Sequence, residues 1–326
     1  MINSPLSGMD NLKNKKILIT GGDGFLGRHL VKNLLEKRGV LEKNLFLPTF
    51  KDIDLRNQKN CQKAVKGQDV VIHLAARVGG IGVNRKKPGE FFYDNLVMGS
   101  HLMEEARRAR VKKFVAIGTI CCYPEITPVP FREKNLWKGY PEKTNAPYGL
   151  AKKMLLVQAE AYRQQYGFNA IFLMPVNLYG PGDNFDLDSS HVIPALINRC
   201  FEAVKHHKKN IVVWGTGRAR REFLFVEDCA EAIILATEKY NRSDPVNIGS
   251  GNEISIKKLA YLISKIVGFK GEIIWDKSMP DGQLRRCLDV SLAKKEFGFS
   301  ARTSFETGLK KTIDWYLNGT KGNKFK

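Results

Sequence analysis

The chain has 326 residues, of which 43% are hydrophobic, 26% charged and 10% aromatic, and this composition excludes a disordered or fibrous protein. Its formal net charge of +20 favours anionic ligands such as nucleic acid, a membrane surface or a phosphorylated small molecule. Because the lysines are scattered in short groups without a long basic run, the small molecule is favoured.

The cellular compartment is indicated by what the chain lacks. No apolar run reaches the ~18 residues that a membrane span needs, and residues 1–14 read as a short flexible leader without the apolar core of a signal peptide. Six cysteines are too few to staple a chain of this length, and the adjacent pair Cys121 and Cys122 suits reduced thiols. We therefore expect a cytoplasmic protein that binds neither membrane nor nucleic acid and has no metal site.

The first half of the chain alternates short apolar runs with amphipathic helical stretches, which is typical of a parallel sheet covered on both faces. A helix is expected from Phe25 onward, and another over 148–166, ended by Gly167. The apolar runs predict strands at 17–19, 45–47, 70–72, 114–117 and 171–174.

The pattern changes after Pro175. It predicts a turn-rich loop over 177–190, a helix over 191–205, a strand over 211–214, and turn-rich segments at 245–251 and 268–281. A helix over 223–240 and a strand over 246–248 would return to the first domain. The sequence therefore predicts an α/β protein: a Rossmann-type doubly wound sheet in a domain over 1–175, and a smaller C-terminal substrate domain over 176–326, with about 223–250 returning to the sheet.

A glycine-rich turn, TGGDGFLG, lies between the first strand and the first helix. Gly21, Gly24 and Gly27 would allow a tight turn, close approach of the backbone to a pyrophosphate, and close packing of helix on strand. The turn therefore predicts a dinucleotide site. The second predicted strand is followed by Lys51 and by no acid, which favours NADP(H) and leaves NAD(H) as an alternative.

A second motif, YxxxK, is formed by Tyr148 and Lys152 at the start of a predicted helix. A free phenol has a pKa near 10 and is a poor proton shuttle at neutral pH. We expect the ammonium one turn away, with a cofactor's cation, to lower the pKa of Tyr148, so that the phenol gives a proton to a carbonyl as hydride arrives. Thr119, at the end of a strand, offers a hydroxyl for the same oxygen.

With these features in this order, the chain resembles the extended short-chain dehydrogenase/reductase family. Within it, longer segments resemble the GDP-L-fucose synthase family, also called GDP-4-keto-6-deoxy-D-mannose 3,5-epimerase/4-reductase. The resemblance runs from about residue 15 to 316 and rests on HLAARVGGI (73–81), GTICCYP (118–124), TNAPYGLAK (144–152), MPVNLYGPGDNF (174–185), SSHVIPAL (189–196), VVWGTG…REFLFVED (212–228) and PDGQLRRCLDVS (280–291).

The resemblance implies catalytic roles for five residues. Thr119 stands where the family usually has a serine, and Tyr148 and Lys152 match the rest of that triad. Cys121 and His191 match the pair that moves protons at sugar carbons 3 and 5. A thiol and an imidazole have reference pKa values of about 8.5 and 6.5, so both suit proton transfer near neutral pH.

The resemblance also implies binding residues. Arg199, Trp214, Arg221 and Arg286 match positions that hold the GDP-sugar, Arg286 where a lysine is common. The family's two arginines for the NADP phosphate are replaced by Asp23 and Pro48 in this chain. The predicted cofactor contacts are Gly21, Gly24, Phe25, Leu26, Gly27, Lys51, Asp54, Leu55, Leu74, Ala75, Ala76, Tyr148, Lys152, Pro175, Asn177, Leu178 and His191.

The function implied by the resemblance is NADPH-dependent 3,5-epimerisation and 4-keto reduction of GDP-4-keto-6-deoxy-D-mannose to GDP-L-fucose, by a homodimer. One alternative is a 4-reductase or 3,5-epimerase that acts on a related GDP-deoxysugar or GDP-heptose. A different class, suggested by the charge of +20, is a non-catalytic regulator that binds nucleotide or nucleic acid. The set of catalytic residue types speaks against this last class.

Overall fold

The computed structural model describes residues 9, 11–79, 81–187, 189–279 and 281–321. Residues 1–8 and 10 of the expected leader lie outside the described residues, as do Gly80, Asp188 and Pro280 of the quoted segments. The strands are β1 (Ile17–Thr20), β2 (Leu45–Phe46), β3 (Val70–His73), β4 (Lys113–Ile117), β5 (Ala170–Pro175), β6 (Asn177–Tyr179), β7 (Asn210–Trp214), β8 (Arg220–Phe225), β9 (Val246–Ile248), β10 (Glu253–Ser255), β11 (Glu272–Asp276) and β12 (Arg285–Arg286). The helices are α1 (Phe25–Glu36), α2 (Gln58–Val65), α3 (Ile81–Lys86), α4 (Pro88–Arg108), α5 (Ala146–Tyr166), α6 (Val192–Lys205), α7 (Val226–Lys239), α8 (Ile256–Val267), α9 (Ser291–Phe297) and α10 (Phe305–Lys321).

The larger sheet has six strands in the order β2-β1-β3-β4-β5-β9, and every neighbouring pair is parallel. From β1 the chain moves outward to β2 and then crosses to β3 on the other side of β1. This reversal opens a crevice at the carboxyl ends of β1 and β3, where doubly wound sheets bind ligands. The fold class predicted from the sequence is confirmed.

The central strands of this sheet are buried along their whole length because both of its faces are covered. Every residue of β1, β3, β4 and β5 is buried, although successive side chains of a strand point to opposite faces. Helix α1 packs against α7, while α4 packs against both α2 and α5. Helix α5 ends as predicted at Gly167, which adopts a left-handed conformation and donates its N–H to the last turn.

The C-terminal half adds a second hydrophobic cluster around smaller sheets. Strand β8 pairs with β6, β10 and β12, and β7 forms a parallel pair with β11. Helices α6, α8 and α10 contribute apolar side chains to this cluster. Helix α7 and strand β9, in contrast, belong to the larger sheet and its covering layer. The division into two domains itself stays a prediction.

Three sequence-based predictions in this half are wrong in part. The segment 177–190, predicted as a turn-rich loop, begins with β6, which pairs with β8. Residues 223–225 are the end of β8, not the start of a helix, because Phe223, Leu224 and Phe225 are buried together in the middle of a sheet. The segment 268–281, predicted as turns, contains β11. Its Ile273 is buried while Glu272 and Ile274 are exposed, which is the alternation of a strand paired on β7. No helix within the described ranges is long and apolar enough to cross a membrane.

Candidate active site

The glycine turn brings the backbone of β1 close to the start of α1. Gly21 has a φ of 70°, a left-handed conformation that glycine adopts at little cost. A Cβ on Gly27 would collide with the carbonyl oxygen of Gly21, so helix and turn are in direct contact. No side chain caps the N-terminus of α1 at Gly24. The turn and the uncapped amides therefore fit the pyrophosphate of a dinucleotide.

His73, at the end of β3, supports the loop beside this turn. Its Nδ1 lies 2.8 Å from the hydroxyl oxygen of Thr20, and that oxygen accepts the N–H of Ala75 at 3.2 Å. Burial and the nearby charge of Lys152 lower the pKa of His73 well below its usual value, so the ring is neutral. A neutral ring held between β1 and β3 fixes the backbone at Leu74 and Ala75.

The end of β4 and the start of α5 bring the predicted catalytic residues together. Thr119 caps a single turn of 3-10 helix, Ile120–Cys122, and its hydroxyl accepts the N–H of Cys121 at 3.2 Å. A Cβ on Gly149 of α5 would collide with the carbonyl oxygen of Cys121, so the helix rests directly on this turn. Thr119, Cys121, Tyr148 and Lys152 all line one cleft.

Cys122 lies within the 3-10 turn and does not face the cleft as Cys121 does. Its thiol is buried and donates to the carbonyl oxygen of Gly149 at 3.3 Å. The thiol therefore ties the turn to α5, whereas Cys121 faces the cleft. All six cysteines are free thiols.

The electrostatics of Tyr148 differ from the sequence-based expectation. Burial, with the thiols of Cys121 and Cys122 beside it, raises the pKa of Tyr148, and no lowering by Lys152 is found. Burial also lowers the pKa of Lys152 to about 8. The ammonium of Lys152 alone does not offset the removal of the phenol from water. The part of the expectation that depends on the cofactor's cation stays a prediction. At neutral pH Tyr148 keeps its proton and is equipped to donate it.

The predicted catalytic residue His191 and two predicted substrate residues line the other end of the cleft, which has a volume of about 2120 Å³. His191 precedes the first turn of α6, and burial lowers its pKa. Arg199, further along α6, donates to the carbonyl oxygen of Val212 at 2.9 Å. The side chain of Trp214 at the end of β7 is exposed to the cleft. This volume exceeds the ~300–1,000 Å³ of common ligand pockets and leaves space for two ligands.

Two guanidiniums from neighbouring strands also face the cleft. Arg221 of β8 donates to the carbonyl oxygen of Asp281 at 3.2 Å, and burial together with the charge of Arg286 lowers its pKa to about 10. Arg286 of β12 lies with Nη2 3.5 Å from Sγ of Cys121. Two such cations side by side suit a diphosphate.

The structure does not bring two predicted cofactor residues to the cleft. Lys51 lies in an exposed turn, and the carboxylate of Asp54 is turned to Arg56, with Oδ2 2.7 Å from Nη2. The remaining predicted cofactor residues line the cleft: Gly21, Gly24, Phe25, Leu26, Gly27, Leu55, Leu74, Ala75, Ala76, Tyr148, Lys152, Pro175, Asn177, Leu178 and His191.

Other cations occupy the place expected for Lys51. Arg56 and Arg77 line the cofactor end of the cleft, and both pair with Asp94 of α4, at 3.4 and 2.6 Å. Sequence reasoning missed both. Arg77 had a signal, because it lies inside HLAARVGGI, whereas Arg56 is brought to the cleft only by its contacts with Asp54 and Asp94.

Residues 17–249 match the NAD dependent epimerase/dehydratase family. GDP-L-fucose synthase from Sinorhizobium fredii (strain NBRC 101917 / NGR234) is 38% identical over 314 residues, which are 96% of this chain and 98% of that protein. GDP-L-fucose synthase 1 from Arabidopsis thaliana is 39% identical over 318 residues, 97% of each chain.

Among solved structures, a GDP-6-OMe-4-keto-L-xylo-heptose reductase from C. jejuni superposes with a TM-score of 0.88, at 30% identity, over 96% of this chain and 99% of that one. A GDP-L-fucose synthetase from Naegleria fowleri bound to NADP has a TM-score of 0.84 at 26% identity, over 98% of each chain.

Proposed function

The chain belongs to the NAD dependent epimerase/dehydratase family, and from that premise we propose that it converts GDP-4-keto-6-deoxy-D-mannose to GDP-L-fucose with NADP(H). The observation that carries the proposal is the shared cleft: Cys121 and His191 line it together with Thr119, Tyr148 and Lys152. A simple ketone reductase needs the last three alone. The thiol of Cys121 and the imidazole of His191 are present in addition, and they suit proton transfer at the sugar carbons.

The epimerase half uses the acidity of a 4-keto sugar. The hydrogens on carbons 3 and 5 are acidic because the enolate spreads its charge onto the ketone oxygen. We assign Cys121 as the base that removes a proton and His191 as the acid that returns one. Thr119 and Tyr148 donate hydrogen bonds to the enolate oxygen.

The reductase half uses the proton that Tyr148 retains. NADPH, when bound, supplies the hydride that reduces the 4-ketone. Because burial raises the pKa of Tyr148, the phenol stays protonated until charge develops on oxygen 4, and it then gives up the proton. Lys152, one turn along α5, stabilises the resulting phenolate.

Substrate binding is assigned to the C-terminal end of the cleft. Arg221 and Arg286 would hold the diphosphate, with Arg199 and Trp214 beside the nucleotide-sugar. At the other end the glycine turn would hold the pyrophosphate of the cofactor. Asp23 and Pro48 replace the family's arginines at this end, where Arg56 and Arg77 line the cleft and Arg28 donates to the backbone carbonyl oxygen of Asp23 at 2.6 Å. NAD(H) remains the second candidate cofactor.

We also propose that the protein is a cytoplasmic homodimer. The six free thiols suit a reducing compartment. Helices α4 and α5 pack against each other and expose apolar side chains, among them Tyr93, which is 60% exposed, and Val157, which is 42% exposed. A two-fold axis that brings two such helix pairs together would bury these side chains.

A second candidate substrate is a GDP-4-keto-heptose, favoured by the TM-score of 0.88 to a reductase of such a sugar. The experiment that separates the two is incubation of the purified protein with GDP-4-keto-6-deoxymannose and NADPH. Loss of NADPH absorbance with GDP-L-fucose as the product by NMR is expected. NADPH oxidation that yields an unepimerised sugar, or no turnover of this substrate, would contradict the proposal.

A further inference from the structure

Cys121 and Arg286 are 165 positions apart in the chain, yet both line the cleft and their side chains are in contact there. Nη2 of Arg286 is 3.5 Å from Sγ of Cys121, within hydrogen-bonding distance for sulfur. Strand β12 pairs with β8, with Arg286 beside Arg221, and the guanidinium of Arg286 contacts Cys121 in the 3-10 turn. The contact is therefore fixed by two packed elements.

Arg286 has few other partners. Its Nε is buried and has no hydrogen-bond partner among the described residues, and no carboxylate in the described ranges pairs with it. Its neighbour Arg285 differs, because its guanidinium binds Glu253 at 2.8 Å and points to solvent. Because no carboxylate pairs with the Arg286 guanidinium in the described ranges, its positive charge acts on the Cys121 sulfur without a neutralising partner.

We propose that Arg286 is the positioning residue that holds Cys121 as a thiolate before the sugar arrives. A free cysteine thiol has a pKa near 8.5, so only a few per cent is thiolate at pH 7, and an adjacent cation favours the anion. The thiolate then accepts the proton from the sugar carbon, becoming a thiol as the enolate forms. This inference rests on the proposed role of Cys121 as the base.

None of the other groups around Cys121 supplies a positive charge in direct contact with its sulfur. The phenol of Tyr148 on α5 and the thiol of Cys122 interact with Cys121, and burial raises the pKa of each, so both are neutral at pH 7. Lys152 keeps most of its positive charge at pH 7, because burial lowers its pKa only to about 8, but no hydrogen bond joins it to the Cys121 sulfur within the described residues. Burial lowers the pKa of His191.

Six carboxylates line the same cleft, and none of them is hydrogen-bonded to the sulfur of Cys121 within the described residues: Asp23, Asp94, Glu125, Glu142, Asp183 and Asp281. Asp94 pairs with Arg56 and Arg77, and Asp281 accepts the N–H and the hydroxyl of Thr216. Glu142 accepts the backbone N–H groups of Thr144 and Asn145, at 3.0 and 3.1 Å, and Glu125 is exposed to solvent. Neither is in contact with the sulfur. Arg286 is thus the cation in direct contact with Cys121 within the described residues.

The test measures thiol reactivity with no substrate present. Iodoacetamide at low concentration should label Cys121 selectively, because the other five cysteines are buried, and mass spectrometry reports the rate at each pH. In the wild-type protein we expect the rate to reach half its maximum near pH 7.5 or below. Half-maximal labelling near pH 8.5, the value for an ordinary thiol, would overturn the proposal without any variant.

The variant Arg286→Gln should move half-maximal labelling upward by about one pH unit. At pH 7 the rate should fall about threefold, because roughly tenfold less thiolate is partly offset by the greater nucleophilicity of a more basic sulfur. Arg286→Lys, which keeps a cation, should lie between the two profiles. Arg285→Gln is the matched control and should label as the wild type does.

Identical profiles for the wild type and Arg286→Gln would overturn the proposal. Thermal melts and NADPH binding show whether each variant is folded. Because no sugar nucleotide is used, the labelling result is independent of substrate identity. A protein that fails to turn over GDP-4-keto-6-deoxymannose but shows the expected labelling contradicts the proposed function alone.

Discussion

Cys121 and Tyr148 share one cleft but would act on different atoms of the sugar, the thiol at carbons 3 and 5 and the phenol at oxygen 4. We therefore expect Cys121→Ser to abolish solvent-deuterium incorporation at these carbons, since a hydroxyl is too weakly acidic to serve as the base. The variant should still reduce the unepimerised ketone slowly and give a 6-deoxy sugar of the wrong configuration. NMR of the product and NADPH absorbance measure the two steps separately.

Cys122→Ser is the control for this experiment. The thiol of Cys122 donates to the carbonyl oxygen of Gly149 and does not face the cleft. It should retain exchange. If Cys121→Ser exchanged deuterium at the wild-type rate, the epimerase assignment would fail, and the protein would be a simple 4-ketoreductase.

Arg221 offers a second test at this scale, directed at the diphosphate. Loss of one charge-assisted hydrogen bond costs about 1.5–3 kcal/mol, so Arg221→Ala should raise the KM for the GDP-sugar by roughly ten- to a hundredfold. The affinity for NADPH should change little, because the glycine turn lies at the other end of the cleft. Steady-state kinetics and fluorescence titration with NADPH measure the two effects.

The adjacent Arg220→Ala is the matched variant, since that guanidinium binds Glu253 at 2.7 Å, away from the cleft. Its KM should stay near the wild-type value. A KM for Arg221→Ala within about twofold of wild type, well below the cost of a lost charged hydrogen bond, would show that Arg221 does not bind the substrate.

Among the elements, α5 and the 3-10 turn are in direct contact, and this contact sets the positions of the four side chains there that we propose as catalytic. Ala is favoured over Gly inside a helix by about 1 kcal/mol, so propensity alone would make Gly149→Ala stabilising. The added Cβ, however, would collide with the carbonyl oxygen of Cys121, and relief of that clash must move the turn from the helix. We expect a lower melting temperature and at least a tenfold loss of kcat, of order 1.4 kcal/mol.

Gly89 of α4 provides the comparison, because a Cβ there would meet nothing within 4 Å. Gly89→Ala should leave activity unchanged and keep or slightly raise the melting temperature. If Gly149→Ala behaved like Gly89→Ala, α5 would not be held against the turn as closely as the structure shows.

Elements and motifs that depend on neighbours in sequence were predictable. The glycine turn between strand and helix, and Tyr148 one turn before Lys152, follow from local spacing. The strand over Glu272–Asp276 was missed because its short alternating pattern is recognisable only beside β7, about sixty residues earlier. The contact of Arg286 with Cys121 likewise depends on the pairing of β12 with β8.

The predicted cofactor cation shows the same limit. The sequence favoured Lys51 as the cofactor cation because it is the first cation after the second predicted strand. The structure instead presents Arg56, whose guanidinium is placed by Asp54 and by Asp94 of a distant helix. Proximity in sequence selected Lys51, which does not line the cleft, whereas Arg56 does.

For the whole molecule, the proposed homodimer is tested at the surface formed by α4 and α5. A substitution of Val157 by glutamate would place a charge in the middle of the proposed interface, where its desolvation opposes association. We expect the wild-type chain of 36.8 kDa to sediment as a dimer and Val157→Glu to sediment as a monomer with an intact fold.

Tyr261→Glu on α8, where the tyrosine is 52% exposed, changes a comparable apolar side chain away from these helices and should remain dimeric. A wild-type monomer would contradict the proposed assembly. Dimers of both variants would place any interface elsewhere on the molecule.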